Sequence, residues 1–149
     1  MRRLVLGLFL LLGCTAAPQL SEPARARALA YQRRADLLAE SGDRAAALHF
    51  ATRALVVRLA DCGYDCPEAA YSFVQLGDLR WSIGEPEHAA QSFAQAVRVL
   101  EPHRATHARW MAASEQRLRR ACAAAASPPP GCRLLPSARG STQLDVAQE

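Results

Sequence analysis

The sequence has no lysine and few aromatic residues. All 18 basic side chains are arginines scattered along the 149 residues, aromatic residues make up 6%, and the densest basic cluster is Arg117, Arg119 and Arg120. A nucleic-acid interface needs a broader basic stripe with aromatic side chains on which bases can stack. We therefore expect no nucleic-acid partner, and the cluster fits a solvated helix face.

β-Branched residues are also scarce, whereas alanine and leucine supply most of the 50% of residues that are hydrophobic. Alanine and leucine favour helices, while β-branched and aromatic residues favour strands. With 21% charged residues the composition is that of a globular protein, and the length is that of one domain. The sequence therefore predicts a single all-α domain.

Catalytic motifs are missing as well. The sequence contains no phosphate-binding loop, no haem-attachment motif, no nucleophile elbow and no histidine–carboxylate zinc motif. Asp36 and Asp78 are carboxylates of an exposed helix face, and neither has an acid–base partner nearby in the sequence. We expect no enzymatic activity and no cofactor.

No apolar run is long enough to cross a bilayer as a helix, which takes about 20 residues. The apolar run at residues 4–12 follows Arg2 and Arg3, an order typical of an export signal. The run closes with the letters LLGC, ending at Cys14, and this ending resembles the lipobox of bacterial lipoproteins. The resemblance implies that residues 1–13 are a signal peptide and that Cys14 is lipidated.

The same resemblance implies a location. Residues 14–20 would form a short tether to the membrane, and Thr15 rather than aspartate follows Cys14, which in enterobacterial lipoproteins directs the protein to the outer membrane, facing the periplasm. An ordinary secretory leader cut after Ala17 is the alternative, although Pro18 makes that cut unfavourable.

Two segments of the mature chain repeat one pattern. Residues 35–55 and 77–97 align at a constant offset of 42, and each has the pattern of a helix, a glycine turn and a second helix. Gly42 and Gly84 are expected to end the first helix at positive φ. In the second helix, Asp43 and Pro86 are suited to the N-terminal end.

The second copy resembles the tetratricopeptide repeat (TPR). That motif has small residues at the positions of Gly77, Ala89 and Ala96, an aromatic residue at Phe93 and a proline near Pro102. The first copy matches less well, with alanine at the positions of the first glycine and of the aromatic residue. The resemblance implies antiparallel helical hairpins stacked as a short TPR-like solenoid.

The TPR-like domain would span residues 21–126. Its repeats are expected at about 28–61 and 70–103, followed by a capping helix at about 104–125 whose Trp110, Met111, Leu118 and Cys122 would share one packed side. The offset exceeds the usual TPR period of about 34 residues, and the extra residues fall in the stretch LADCGYDCPE between the copies. A plain bundle of four or five helices is the alternative.

In TPR arrays the first helix of each hairpin lines a concave groove, so the resemblance implies a partner-binding groove. Its expected residues are Gln32, Arg33, Asp36, Glu40, Tyr71, Gln75, Asp78, Trp81, Gln116, Arg117 and Arg120. Tyr71 and Trp81 are the expected anchors, because aromatic side chains carry much of the energy of interfaces. Core packing is the alternative role for Trp81.

With Cys14 assigned to the lipid, an even number of cysteines remains in an oxidising compartment, and disulfide bonds are expected. Cys62 and Cys66 lie in the stretch between the repeats, whereas Cys122 lies late in the capping helix. Local bonds, joining Cys62 to Cys66 and Cys122 to Cys132, are therefore favoured over the two long-range connectivities.

A four-ligand zinc site is a second interpretation of these residues. His103 and His107 fall about one repeat after Cys62 and Cys66, and two histidines with two cysteines can hold zinc. A protein with this site would be a periplasmic metal-binding or redox-responsive protein. The long separation of the two pairs and the oxidation of exported thiols argue against it.

The C-terminal segment, residues 127–149, is rich in serine, proline and glycine and is expected to form a largely disordered tail. Taken together, the lipobox and the repeats favour a membrane-anchored interaction scaffold or assembly factor of the bacterial cell envelope. Its partner would be an envelope protein or peptide segment whose identity the sequence does not give.

Overall fold

The computed structural model describes residues 19–135, and this range consists of helices and the turns between them. The five α-helices are α1 (Glu22–Glu40), α2 (Arg44–Cys62), α3 (Pro67–Ser82), α4 (Pro86–Leu100) and α5 (Ala108–Ala124). Short 3-10 helices follow at Glu101–His103 and Pro130–Leu134. No strand occurs within the described range, and the all-α prediction is confirmed.

Some of the predicted features fall outside this range. The signal peptide at 1–13, the lipidated Cys14, the tether up to residue 18 and the end of the tail from residue 136 onward lie outside the described residues.

Consecutive helices pack as antiparallel hairpins. α1 packs along α2, α3 packs along α4, and α2 also contacts α3. α5 packs against α4 and begins at Ala108, four residues later than the expected start of the capping helix. The residues at 104–107 form the turn that leads into it.

The turns within the hairpins form as the sequence predicts. Gly42 and Gly84 have φ values of 87° and 80°, in the left-handed region that glycine tolerates without strain. The carboxylate of Asp43 accepts a hydrogen bond of 3.0 Å from the Ala46 amide and caps α2. Pro86 is the first residue of α4, where its missing amide hydrogen costs nothing.

The second hairpin is built around one close contact between its helices. The ring of Phe93 on α4 packs so tightly against Gly77 on α3 that a Cβ atom at Gly77 would lie 2.4 Å from the Phe93 Cε1 atom. In the first hairpin the equivalent residues are Ala35 and Ala51, both fully buried. The contact between a glycine and a phenylalanine ring in the second hairpin is thus replaced by a pair of alanines in the first.

The stretch between the repeats is more helical than expected. α2 has 19 residues and α4 has 15, so α2 continues for one further turn, and Cys62 is its last residue. Cys66 is the N-cap residue of α3. The expectation that both cysteines lie in the loop is therefore corrected: the loop comprises residues 63–65, and the disulfide joins the two helix ends.

The start of the C-terminal segment is ordered against the domain. The described residues 127–135 include the 3-10 helix Pro130–Leu134, which packs on α4. Gly131 lies against Ala94, where an added Cβ atom would be 2.4 Å from the alanine methyl carbon. Cys132 is bonded to Cys122 of α5, so this bond fastens the segment to the last helix.

Candidate functional site: a groove lined by α1, α3 and α5

The first helix of each hairpin and α5 together line a groove with a volume of about 610 Å³. Its floor is formed by α3, and its walls come mainly from α1 and α5. The side chains that line it belong to Gln32, Asp36, Ala39, Arg44, Tyr71, Val74, Gln75, Asp78, Leu79, Ser82, Trp110, Ala113, Ser114 and Arg117. The groove mixes apolar, aromatic and charged groups, as peptide-binding surfaces do.

Two polar pairs link neighbouring helices across the groove. Gln75 Nε2 donates a 2.6 Å hydrogen bond to Asp36 Oδ1, and Arg117 Nε donates a 3.0 Å hydrogen bond to Asp78 Oδ1. The two acceptors, Asp36 and Asp78, are 42 residues apart in the sequence, and so are the two donors, Gln75 and Arg117. The repeat therefore extends from the packing residues to the polar groups of the groove.

The Gln75 side chain leaves one acceptor free. Its Oε1 atom is buried and has no hydrogen-bond partner among the described residues. A buried polar atom without a partner is costly, and this oxygen is enclosed by the surrounding side chains, so it is not exposed to a ligand in the groove.

An aromatic pair stands at one end of the groove. The rings of Tyr71 on α3 and Trp110 on α5 lie 5.2 Å apart between centroids, and the residues are 41% and 42% exposed. Such partly exposed aromatic pairs can cover an apolar or planar group of a ligand. Trp110 was expected on the packed side of α5 with Met111 and Leu118, and the structure corrects this: Trp110 points into the groove, since it lies about 100° around the helix from Met111.

A smaller cavity of about 300 Å³ adjoins the groove. Trp81 lines it at 37% exposure, and the Arg120 guanidinium lies 5.3 Å above the Trp81 ring. Gln116 lines the same cavity, which shares Asp78 and Arg117 with the groove. Trp81 is thus a partly exposed side chain at the edge of the groove.

The expected groove residues fall into three sets. Six line the groove itself: Gln32, Asp36, Tyr71, Gln75, Asp78 and Arg117. Three line only the smaller cavity: Trp81, Gln116 and Arg120. Arg33 and Glu40 line neither, and both are exposed on α1.

Sequence reasoning missed Arg58, a buried arginine next to the groove. It belongs to α2 and is 4% exposed. Its guanidinium donates to the hydroxyl of Ser72 and, at 2.8 Å, to Gln32 Oε1. Burial of the guanidinium lowers the pKa of Arg58, because desolvation disfavours the charged form. The spacing of Ala51, Leu55, Arg58 and Cys62 placed it on the buried side of α2, and that signal could have revealed it.

The cysteines form two disulfide bonds, as predicted. Cys62 is bonded to Cys66 with Cα atoms 5.5 Å apart, and Cys122 is bonded to Cys132 with Cα atoms 5.9 Å apart. His103 Nε2 lies 2.8 Å from the Asp65 carbonyl oxygen, so this histidine does approach the Cys62–Cys66 loop. Within residues 19–135, no three histidine, cysteine or acidic side chains are grouped so that they could hold a metal ion.

None of the helices in the described part of the chain combines the length and apolarity that a membrane span needs. No protein-family model, no curated protein and no solved structure gives a significant match to the chain.

Proposed function

We propose that this protein is a lipid-anchored TPR-like scaffold of the bacterial cell envelope, where it binds a segment of a partner protein in the groove between α1, α3 and α5. The observation that carries the proposal is the groove itself. It is lined by the first helix of each hairpin, at the positions to which the TPR resemblance assigns partner binding.

The chemistry of the groove supports a peptide ligand. The Tyr71–Trp110 pair offers a partly exposed aromatic surface to an apolar side chain of the segment. Asp36, Asp78 and Arg117 already have partners within the protein, so they would set the shape of the groove more than attract a ligand by net charge.

Site-specific photo-crosslinking in the native envelope tests partner binding. A photoreactive residue at Val74, in the groove, should crosslink to one defined partner segment, which mass spectrometry of the crosslinked peptide identifies. The same residue at Val56, which is 58% exposed on α2 and does not line the groove, is the matched control and should give no such product.

Substitutions then test the aromatic pair. Tyr71→Ala with Trp110→Ala should abolish the Val74 crosslink while the circular dichroism spectrum stays helical, because both side chains are partly exposed. Tyr64→Ala, which removes a 66% exposed ring outside the groove, should leave the crosslink intact. An unchanged crosslink in the double variant would contradict the proposed groove.

The lipid anchor is tested by the intact mass of the protein extracted from membranes. We expect loss of residues 1–13 and a multiply acylated Cys14, and Cys14→Ser should release the protein from the membrane fraction. Acyl chains contribute about 0.8 kcal/mol for each buried methylene, so several chains hold a protein firmly on a bilayer. A native protein that retains its leader or lacks acyl groups would contradict the anchor.

One observation favours a second candidate, a metal-binding or redox-responsive protein. The contact between His103 and the Asp65 carbonyl brings one of the four candidate ligands to the Cys62–Cys66 loop. The two sulfur atoms are bonded to each other, so zinc could bind there only after reduction. Zinc titration of the chemically reduced protein, with Cys62→Ser as the control, decides it: stoichiometric binding that this variant loses would support the second candidate.

A further inference from the structure

The first hairpin has a face that no helix of the described residues covers. On α1 this face comprises three residues spaced four and three positions apart, namely Arg27, Tyr31 and Arg34. At the repeat offset of 42 they correspond to three residues of α3, namely Ala69, Phe73 and Leu76. Those α3 residues pack against the first hairpin, whereas Arg27 and Arg34 are exposed. The side by which the second hairpin stacks on the first is therefore open and basic on the first hairpin itself.

α2 adds Arg53 to this side. Its guanidinium lies 5.5 Å from the centroid of the Tyr31 ring, and we call Arg27, Tyr31, Arg34 and Arg53 the open face. Neither Arg34 nor Arg53 has an acidic residue three or four positions away in its helix, and neither forms a salt bridge within residues 19–135. Arg27 has one carboxylate nearby, that of Asp61. The open face thus carries positive charge that the domain does not neutralise.

The expected lipid anchor lies a short distance along the chain from this face. Cys14 precedes Leu20 by six residues, and an extended chain covers at most about 3.6 Å per residue, so the tether spans at most about 22 Å. The 19 residues of α1 span about 28 Å. Leu20 is buried in a cluster with Cys62 and Cys66, which fixes the end of the tether. An anchor at Cys14 would therefore hold the domain within one helix length of the bilayer.

Two surfaces lie beside the tether, the open face and the helix ends next to Leu20. The helix ends carry exposed carboxylates at Asp61 and Asp65, which anionic headgroups would repel. The open face offers guanidinium groups, which bind phosphates through charge-assisted hydrogen bonds, and a tyrosine, a residue enriched at membrane–water interfaces. Charge complementarity with an anionic bilayer therefore favours the open face.

We propose that the open face docks on the anionic lipid headgroups of the membrane that holds Cys14, so that α1 and α2 lie along the bilayer. The inference rests on the proposed function for the lipid anchor and adds the orientation of the domain. Arg34 and the groove residue Asp36 are two positions apart, and they lie about 200° apart around α1. Docking by the open face therefore leaves the groove turned away from the bilayer and accessible to a partner segment.

Chemical coupling of the mature chain to lipid tests the docking. Cys14 is the one cysteine outside the two disulfide bonds, so the chain from residue 14 onward can be attached through this thiol to a maleimide lipid in vesicles. One set of vesicles contains phosphatidylcholine alone, and the other also contains the anionic phosphatidylglycerol. The arginines are then modified with p-hydroxyphenylglyoxal, and peptide mass spectrometry gives the modification rate at each position.

We expect the rates at Arg34 and Arg53 to fall about fivefold or more on the anionic vesicles, since one arginine near an anionic surface contributes roughly a factor of five to the binding constant. High salt should restore both rates. The rate at Arg98, which is exposed on α4, should be the same on both sets of vesicles. Equal rates at Arg34 and Arg53 on the two sets would overturn the inference. Protection of Arg109, at the start of α5, in their place would also overturn it, because the domain would then stand on its helix ends.

Arg34→Gln with Arg53→Gln is the decisive variant, and the modification rate at Arg27 reports on it. Both substituted side chains are exposed, so the fold should be unaffected, while the protection of Arg27 on anionic vesicles should be lost. Arg98→Gln with Arg109→Gln removes the same charge from exposed positions outside the open face and is the matched control, which should keep that protection. Loss of protection in both variants would indicate attraction by net charge alone and would reject a specific docking face.

The experiment separates this inference from the proposed function, because coupling at Cys14 replaces the native acyl chains. Protection of the open face together with an unacylated native Cys14 would support the docking face and reject the native anchor. An acylated native Cys14 without protection of the open face would keep the anchor and reject the docking.

Discussion

The two helical hairpins have equivalent residues at an offset of 42 but very different interiors. The largest fully buried apolar side chains, Phe93, Leu100, Met111 and Leu118, all belong to α4 and α5. The first hairpin buries mainly alanines, among them Ala35, Ala47, Ala51 and Ala54, and Leu55 is the one buried leucine of α1 and α2. Since apolar burial scales with area, the second hairpin and α5 supply most of the apolar stabilisation.

The two hairpins thus differ in role: one supplies apolar core packing, and the other places a polar group beside the groove. The second hairpin is an apolar core unit, in which Leu100 occupies the position that Arg58 holds in the first. The first hairpin lacks this apolar contact and carries a polar group beside the groove. The first hairpin is therefore expected to be the less stable of the two, and the following predictions test this difference.

The largest effect is expected for Phe93→Ala. Truncation of a buried phenylalanine costs about 3–5 kcal/mol, because the cavity left beside Gly77 has no side chain to fill it. Phe50→Ala on α2 is the same substitution at a non-equivalent position of the first hairpin, and because its ring is only half-buried it should cost about 1–2 kcal/mol. Urea unfolding measures the free energy of unfolding of both variants. Equal losses of this free energy would show that the two hairpins contribute equally to stability.

Gly77→Ala tests the contact between α3 and α4. The added methyl group would clash with the Phe93 ring, and such overpacking costs about 1–3 kcal/mol. In a Phe93→Ala background the clash is absent, so the same change should stabilise the protein by about 1 kcal/mol through helix propensity. A double-mutant cycle measures this reversal of sign, and additive effects would contradict the tight contact.

Hydrogen exchange of the backbone amides compares the local stability of the two hairpins directly. We expect the amides of α1 to exchange about tenfold or more faster than those of α4, after correction for intrinsic rates, because less apolar surface holds α1 in place. NMR or mass spectrometry resolves the two helices. Uniform protection across all five helices would indicate that the domain opens as one unit.

The smallest effect concerns Asp61, which binds the start of α1. Its carboxylate accepts hydrogen bonds of 2.6 Å from the Ser21 amide and 2.8 Å from the Ser21 hydroxyl, and these lower its pKa. A lowered pKa stabilises the fold above the unfolded value of about 3.9, and that stabilisation is lost as the pH falls through the lowered pKa. The Ser21 amide should therefore exchange faster at acidic pH than the trend of its neighbours predicts, and Asp61→Asn should abolish the difference.

Much of the fold could be predicted because its signals are local. The turns at Gly42 and Gly84, the cap at Asp43 and the pairing of Cys122 with Cys132 depend on residues close together in the sequence, and all are confirmed. The six expected residues that line the groove came from the TPR resemblance, which implies that the first helix of each hairpin faces the groove.

The remaining features depend on tertiary contacts. Trp110 lies in the groove because of how α5 is rotated against α4, and no pattern within α5 fixes that rotation for a residue at the edge of the apolar side. Arg58 was overlooked because a charged side chain is normally assigned to solvent. The sequence predicts Cys62 in a loop because the residues beyond the usual repeat period fall around it, whereas α2 continues through it.

The small cluster of Leu20, Ala24, Cys62 and Cys66 determines how the domain would carry a mechanical load. A pull on the chain that precedes Leu20 acts on α1 at a point where the two hairpins are joined by the Cys62–Cys66 bond. Leu20 packs against that bond and Ser21 is held by Asp61, so the force passes into both hairpins together.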